Sequence, residues 1–475
     1  MNKIIASSLG CVLALNLAPR SMQAQAATSP APSVSPPKSS ARAKYEPARG
    51  VYLGAALDVS ALPGGATMTN KMAGAMRDWN AKSGKKHAIQ LQFIPFPHED
   101  GAFPAWDKDP KGWATSKDFA DASAAVGAAP MLTLEPFANP QDFARNWKPG
   151  SKAYDATANY ARAVGAWGKP LFIRFAHEMN GSWYPWAEWI DKNANLQRDA
   201  GEETGFNASD YRAAYRDVAL LLRRLAPNAA LVWCPNSGLL GGARRDVFTP
   251  WYPGDDVVDW VGLDIYERGW TMPLPGAKLW GGQFAHNLTH DALDDGATAT
   301  KNESVDFYHT FAEKKNKPMM ICETAATLSY RGDMGENDRF LLDSDWKTGY
   351  WNEAEYGWMQ AVYGTTGYRT QALKYPLDRD FPRIKAIVWF QVAKRETIPV
   401  EKPFGVPIPK ASADVAVITN SLKPGASFPV VRLADKRQIV WFNNAQADYR
   451  INDHEQIDLY RALTKTPHFL SELQK

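Results

Sequence analysis

Eight short apolar runs, each bounded by turn-forming residues and separated from the next by a longer stretch, constrain this chain more than any other feature. They are GVYLGAAL (50–57), AIQLQFIPF (88–96), PMLTLEPF (130–137), PLFIRFAHE (170–178), ALVWCPN (230–236), DWVGLDIY (259–266), PMMICETA (318–325) and IKAIVWFQ (384–391). Runs of this length, apolar throughout rather than alternating, are what parallel strands buried on both faces require. The intervening stretches include helical patterns such as DYRAAYRDVALLLRRLAP (210–227), where Tyr211, Ala214, Tyr215, Val218, Leu221 and Leu222 recur on one face. Strand then helix, eight times over, predicts an α/β fold of the closed (β/α)8 TIM-barrel type with long loop insertions, and 475 residues is within its reach. The alternative is a doubly wound open sheet. No glycine-rich phosphate loop follows the first run to support it.

The two ends of the chain read differently from the middle. Lys3, the apolar stretch Ile4 to Leu17 and the small residues Ala24-Gln25-Ala26 predict a secretory signal over residues 1–26, cut after Ala26. An uncleaved anchor is the competing reading, but Arg20 interrupts a run already shorter than the roughly 20 residues a spanning helix needs. Cys11 after Leu9-Gly10 also suggests lipoprotein processing faintly, with Ser8 where an apolar residue belongs. Residues 27–44, rich in Pro, Ser and Ala, predict a disordered linker, and residues 45–475 a barrel domain whose C-terminal region, 396–450, is decorated. Within that region residues 401–430 are proline-rich, IVWFNN (439–444) reads as a short strand, and Ile457 to Leu463 as the last barrel helix. The expected location is outside the cell or in a periplasm, with no membrane-spanning segment after cleavage. A monomer is expected. Two cysteines, Cys234 and Cys322, then remain in apolar runs, too few for a disulfide framework and best read as small buried hydrophobes.

A net charge of +3 with scattered basic residues excludes a nucleic-acid face and a polybasic membrane patch, so the partner is uncharged or weakly charged. Eighteen tryptophans are more than a core of this size calls for, and some are expected to meet a ligand.

In such barrels reacting groups stand at the carboxyl ends of the strands. The fourth run ends in His177-Glu178 and continues through Asn180, Trp183 and Trp186; the seventh ends in Glu323. Glycosidic bond cleavage needs one carboxyl to protonate the departing oxygen and another to meet the oxocarbenium-like carbon. From strand spacing and tilt, strands four and seven should stand about 14 Å apart across the mouth, leaving roughly 5 to 6 Å between inward-pointing carboxyls. That separation suits a retaining double displacement. A lone strand-end Glu is more often a capping or paired carboxylate; it is the company that turns the reading. His177 and Asn180 offer hydrogen bonds, Trp183 and Trp186 flat faces for sugar rings, Tyr266 a phenolic hydrogen for Glu323, and Trp389 a floor to the site.

The run Ile173-Arg-Phe-Ala-His-Glu-Met-Asn-Gly-Ser-Trp-Tyr-Pro-Trp186 resembles the signature of glycoside hydrolase family 26, whose best-known members are β-mannanases. The segments VWCPNSG (232–238) and WYPGDDVVDWVGLDIY (251–266) resemble its fifth and sixth strands. The resemblance covers roughly residues 50 to 395 and the final helix. It implies a polysaccharide hydrolase that needs no cofactor, with Glu178 as acid/base and Glu323 as nucleophile. The implied substrate is β-mannan first, with β-glucan or a bacterial exopolysaccharide next. The long stretch between Tyr266 and Glu323 departs from the family pattern and is expected to wall one side of the cleft.

Two rival readings stand beside this one. His98-Glu99-Asp100 with His177 offers metal-ligating atoms at strand ends, without a recognised ligand spacing. On the glycanase reading His98 is instead a sugar hydroxyl partner or a satisfied loop histidine. The second rival is a barrel that binds polysaccharide without cutting it, as in exopolysaccharide handling.

Overall fold

In the computed structural model the described residues are 42–59, 68–192, 198–237, 247–267, 283–289, 306–326, 358–367, 375–402, 431–432, 438–448, 450–451 and 454–474. The expected signal and nearly all of the expected linker lie outside them, as do the proline-rich residues 403–430 and most of 268–305.

All eight apolar runs form strands: β1 (Val51–Leu57), β2 (Ile89–Pro95), β3 (Ala129–Glu135), β4 (Leu171–Phe175), β5 (Ala229–Trp233), β6 (Trp260–Glu267), β7 (Met319–Ala326) and β8 (Ile384–Gln391). Each pairs in parallel with the next, and β8 pairs back onto β1 from Tyr52↔Ala386 to Leu57↔Gln391, so the sheet closes. Closure decides against the open sheet. Between the strands run α1 (Met68–Ser83), α2 (Ser116–Ala125), α3 (Lys152–Trp167), α4 (Ala208–Leu225) and the short α5 (Gln283–Thr289).

Local chemistry sets the helix ends. Thr115 with Asp118 and Asn207 with Asp210 form reciprocal capping boxes at the starts of α2 and α4, satisfying amides that the first helical turn leaves without partners. On α4 the buried face is Tyr211, Ala214, Tyr215, Val218, Ala219, Leu221 and Leu222, the stripe that its periodicity predicts.

Two features of the chain ends escaped the sequence reading. Residues 42–44 are not linker: Lys44 donates from Nζ to the carbonyls of Pro227 (2.7 Å) and Ala229 (2.9 Å) and accepts from Trp260 Nε1 at 2.7 Å. Near the C-terminus, a two-residue strand (Phe469–Leu470) pairs in parallel with the start of β1.

The IVWFNN strand lies within Gln438–Asp448, which pairs antiparallel with Ala393–Lys402, the direct continuation of β8. Gln391 ties the base of this ribbon by two hydrogen bonds to the backbone of Ile451. The last helix, α6 (His454–Thr464), follows. Among the described residues no helix is long and apolar enough to cross a membrane.

Candidate active site

The carboxyl ends of β4 to β7 converge on one polar cluster, and its centre is a charge inside a strand. Arg174, in the fourth position of β4, is fully buried. Its Nε donates to Thr133 Oγ1 at 2.8 Å, its Nη1 to both oxygens of Asp264 at 2.9 and 3.0 Å, and its Nη2 to Glu323 Oε1. The guanidinium also lies over the Phe93 ring, 5.6 Å from its centroid. Burial works against the charge, but Asp264 and Glu323 overcome it and hold the Arg174 guanidinium well above its ordinary range. Burial likewise pushes the Asp264 carboxyl up while Arg174 pulls it back. A buried arginine with two carboxylate partners is tolerable only as this closed set.

Glu323 therefore receives a donor on each oxygen: Arg174 on Oε1, and the Tyr266 hydroxyl on Oε2 at 2.6 Å. His177 stands beside it, Nε2 at 3.8 Å from Glu323 Oε1 and 3.4 Å from the Tyr184 hydroxyl.

Glu178 sits on unusual backbone. Ala176 and Glu178 both have left-handed φ values, +47° and +52°. Non-glycine residues there cost of order 1–3 kcal/mol each and need support from neighbours. The support comes from adjacent strands, where Leu134 accepts the amide of Ala176 and Cys234 that of Glu178, each at 2.9 Å. The turn delivers the Glu178 carboxylate to two donors: Trp183 Nε1 on Oε2 at 2.9 Å and Asn236 Nδ2 on Oε1 at 2.6 Å.

Several expected residues stand elsewhere than the sequence suggested. Asn180 exchanges two hydrogen bonds with the backbone of Asn236, at 2.9 and 2.8 Å, and so fixes a residue whose side chain meets Glu178. Trp183 is 43% exposed and offers an open ring face, its other side lying on Gly181, where a Cβ would come within 2.5 Å of the ring. Trp186, expected as a second platform, is fully buried: it stacks on Tyr184 (4.2 Å between centroids) and donates to the carbonyl of His177 at 2.7 Å. Trp389, expected as the floor, is also fully buried and packs 6.0 Å from Tyr363. The next residue, Phe390, faces the interior against Tyr266 (5.8 Å) and Phe93 (6.2 Å). Side chains alternate along a strand, so an error of one residue exchanges floor for outer layer.

His98 is buried with its Nε2 on Asp109 Oδ2 at 3.0 Å, and the edge of its ring meets Trp113 at 5.0 Å. Trp113, 59% exposed, was not singled out from the sequence. Asp100 is engaged with Lys111, so the His98-Glu99-Asp100 metal set is not assembled. Among the described residues the sets of close ligand atoms are His177, Asp264 and Glu323, and Cys234, Asp264 and Cys322. Arg174 already holds both carboxylates with a fixed positive charge, and the Cys234 thiol donates to Asp264 Oδ1 at 3.2 Å, so neither set suits a cation. The two thiols are free and crowd Gly262, where a Cβ would come within 2.6 Å of Cys322 Sγ. The strand needs its glycine for that approach.

Residues 146–274, which hold β4 to β6 and this turn, match the model of glycosyl hydrolase family 26. Through this segment the chain is similar to glycosyl hydrolase family 26. Similar proteins include endoglucanase H of Acetivibrio thermocellus, 29% identical over 217 residues, which are 46% of this chain and 20% of that protein. Beta-1,3-xylanase TXYA of a Vibrio species is 32% identical over 113 residues (22% of this chain, 18% of that one). The mannan endo-1,4-beta-mannosidase of Bacillus subtilis is 30% identical over 99 residues (21% and 24%). The matches thus span less than a quarter of each of these three relatives.

Proposed function

We propose that this protein is a secreted, retaining, endo-acting β-glycanase in which Glu178 is the acid/base and Glu323 the nucleophile. The observation that carries the proposal is the contrast between the two carboxylates. Glu323 is held on both oxygens by a buried guanidinium and a phenol, which fixes it as an attacking group. Glu178 is held by an indole and an amide at the rim, where it can exchange protons. Two carboxyls given different surroundings are how a glycosidase divides acid from nucleophile.

In the first step a Glu323 oxygen bonds to the anomeric carbon. The glycosidic C–O bond breaks with its electron pair going to the leaving oxygen, which takes the proton of Glu178. In the second, Glu178 accepts a proton from water, whose oxygen displaces Glu323. Trp183, with Phe390 in place of Trp389, binds sugar rings; Asn180 and His177 orient the carboxylates.

The relatives include a glucanase, a β-1,3-xylanase and a mannanase, which supports the shared chemistry more than any one substrate. β-Mannan is our first choice. The test is reducing-sugar release from galactomannan, glucomannan, mixed-linkage β-glucan, β-1,3-xylan and a bacterial exopolysaccharide, by the wild type, Glu178→Gln and Glu323→Gln. Activity on one glycan, reduced by several orders of magnitude in both variants, is expected. Activity that survives both overturns the assignment. Silence of the wild type throughout favours the non-catalytic binding barrel.

A further inference from the structure

We infer that Trp183 is a positioning residue for proton transfer as well as a surface for sugar: its indole N–H governs the proton on Glu178, and Oε2 is the oxygen from which that proton leaves. The inference rests on the assignment of Glu178 as acid/base.

The argument begins from the two donors. An indole N–H and an amide N–H can only donate, so Trp183 and Asn236 both favour the charged carboxylate and oppose its protonation. A general acid must nevertheless carry a proton, and the oxygen that carries it becomes a poor acceptor. One of the two bonds has to weaken.

The structure makes the choice unequal. Asn236 is fixed by two hydrogen bonds with Asn180, which is itself buried, and by its bridge to Asp264 on β6. Trp183 lies in the loop after Glu178 and is 43% exposed, with Gly181 beneath its ring and an edge contact to Tyr184 at 6.3 Å. Trp183 is thus the partner that yields, and Oε2, the oxygen it covers, is the one that takes the proton. A sugar settling on the exposed ring acts on the same side chain, so binding on the leaving-group side and readiness of the acid are coupled through one residue.

Other charges bear on Glu178 as well. Asp264 on β6 feels it directly, and Tyr184 shares the field of Glu178 with Glu135 on β3, Glu323 on β7 and Arg174 on β4. None of these is altered when only the indole N–H is removed.

Trp183→Phe keeps an aromatic face and deletes the donor. The first measurement is the indole ¹H–¹⁵N resonance of Trp183 in the free protein, assigned by its absence from Trp183→Phe and followed from pH 3 to 9. It is expected to titrate in the wild type and to lose that titration in Glu178→Gln. A resonance that does not move, or that moves equally in Glu178→Gln, overturns the inference without touching the glycanase reading. The second is the pH profile of kcat/KM on whichever glycan of the panel is cut. Removing a donor to a carboxylate raises its proton affinity, so the alkaline limb in Trp183→Phe should move up by about one pH unit, the scale of a charge-assisted hydrogen bond. A uniform loss of kcat/KM with an unmoved limb makes Trp183 a platform only. If no glycan is cut, the proposed function fails while the resonance still decides whether Trp183 controls Glu178.

Discussion

The mouth of the barrel and the edge where β2 begins both bury polar side chains, in opposite electrical states. At the mouth Arg174, Asp264 and Glu323 form a buried set of full charges, beside two residues of left-handed backbone. At the start of β2, His87 is fully buried and neutral. Its Nδ1 donates to Asn80 Oδ1 at 2.8 Å, and its Nε2 accepts from Tyr460 (2.9 Å) and Trp79 (3.2 Å). Each of these bonds is between uncharged groups. Charge that must later meet a substrate is costly to bury and is held only by exact pairing, whereas a neutral network joins α1, β2 and the last helix at little risk.

The comparison is broken most directly at its charged end. Arg174→Met removes one of the two donors of Glu323 and leaves Asp264 buried with the Cys234 thiol. We expect roughly a thousandfold loss of kcat together with a loss of about 3–5 kcal/mol in stability, the usual cost of orphaning a buried ionic partner. Urea unfolding and initial rates on the active glycan measure the two. A variant with near wild-type rates would show that the set is structural only. Asn180→Ala acts one step further out, freeing Asn236 and through it Glu178. A fall of roughly ten- to a hundredfold in kcat with KM little changed is expected, and a change confined to KM would place Asn180 in sugar binding instead.

The neutral end should answer to pH. Burial lowers the pKa of His87 from 6.5 to about 3. Between those values the unfolded chain binds a proton that the folded one refuses. The contribution is whole above about 6.5 and is lost as pH falls, at up to about 1.4 kcal/mol per pH unit. Urea midpoints of the wild type and His87→Gln between pH 7 and 5 test this: the wild type should lose more stability over the interval, and equal losses would remove His87 from the account.

How much of this was legible follows from the same contrast. Strands buried on both faces announce themselves as unbroken apolar runs, so all eight were readable, and Glu178, Glu323 and Tyr266 were readable as polar residues at strand ends. An unbroken run hides which side chains point inward. That is why Trp389 was taken for Phe390, and why buried Trp186 was taken for a platform. Arg174 and Asp264 carried a signal that went unused: a single charge inside PLFIRFAHE and another inside DWVGLDIY, each in need of an opposite partner. Asn236 and Trp113 carried none, since their roles depend on contacts distant in sequence or on exposure.

The smallest effect sharpens the distinction between the two ends. Tyr460→Phe deletes one hydroxyl donor to His87 Nε2 and keeps the ring, which stacks on His87 with a centroid distance of 6.1 Å. Trp79 still donates to the same nitrogen, so the acceptor is not left bare. A loss of about 1 kcal/mol is expected, that of one neutral hydrogen bond. Activity should not change, because Tyr460 lies on the last helix, where it packs against Trp79, His87 and Tyr363. If kcat fell along with stability, the neutral network would be acting on the mouth through the barrel wall, and the two ends could no longer be treated as independent.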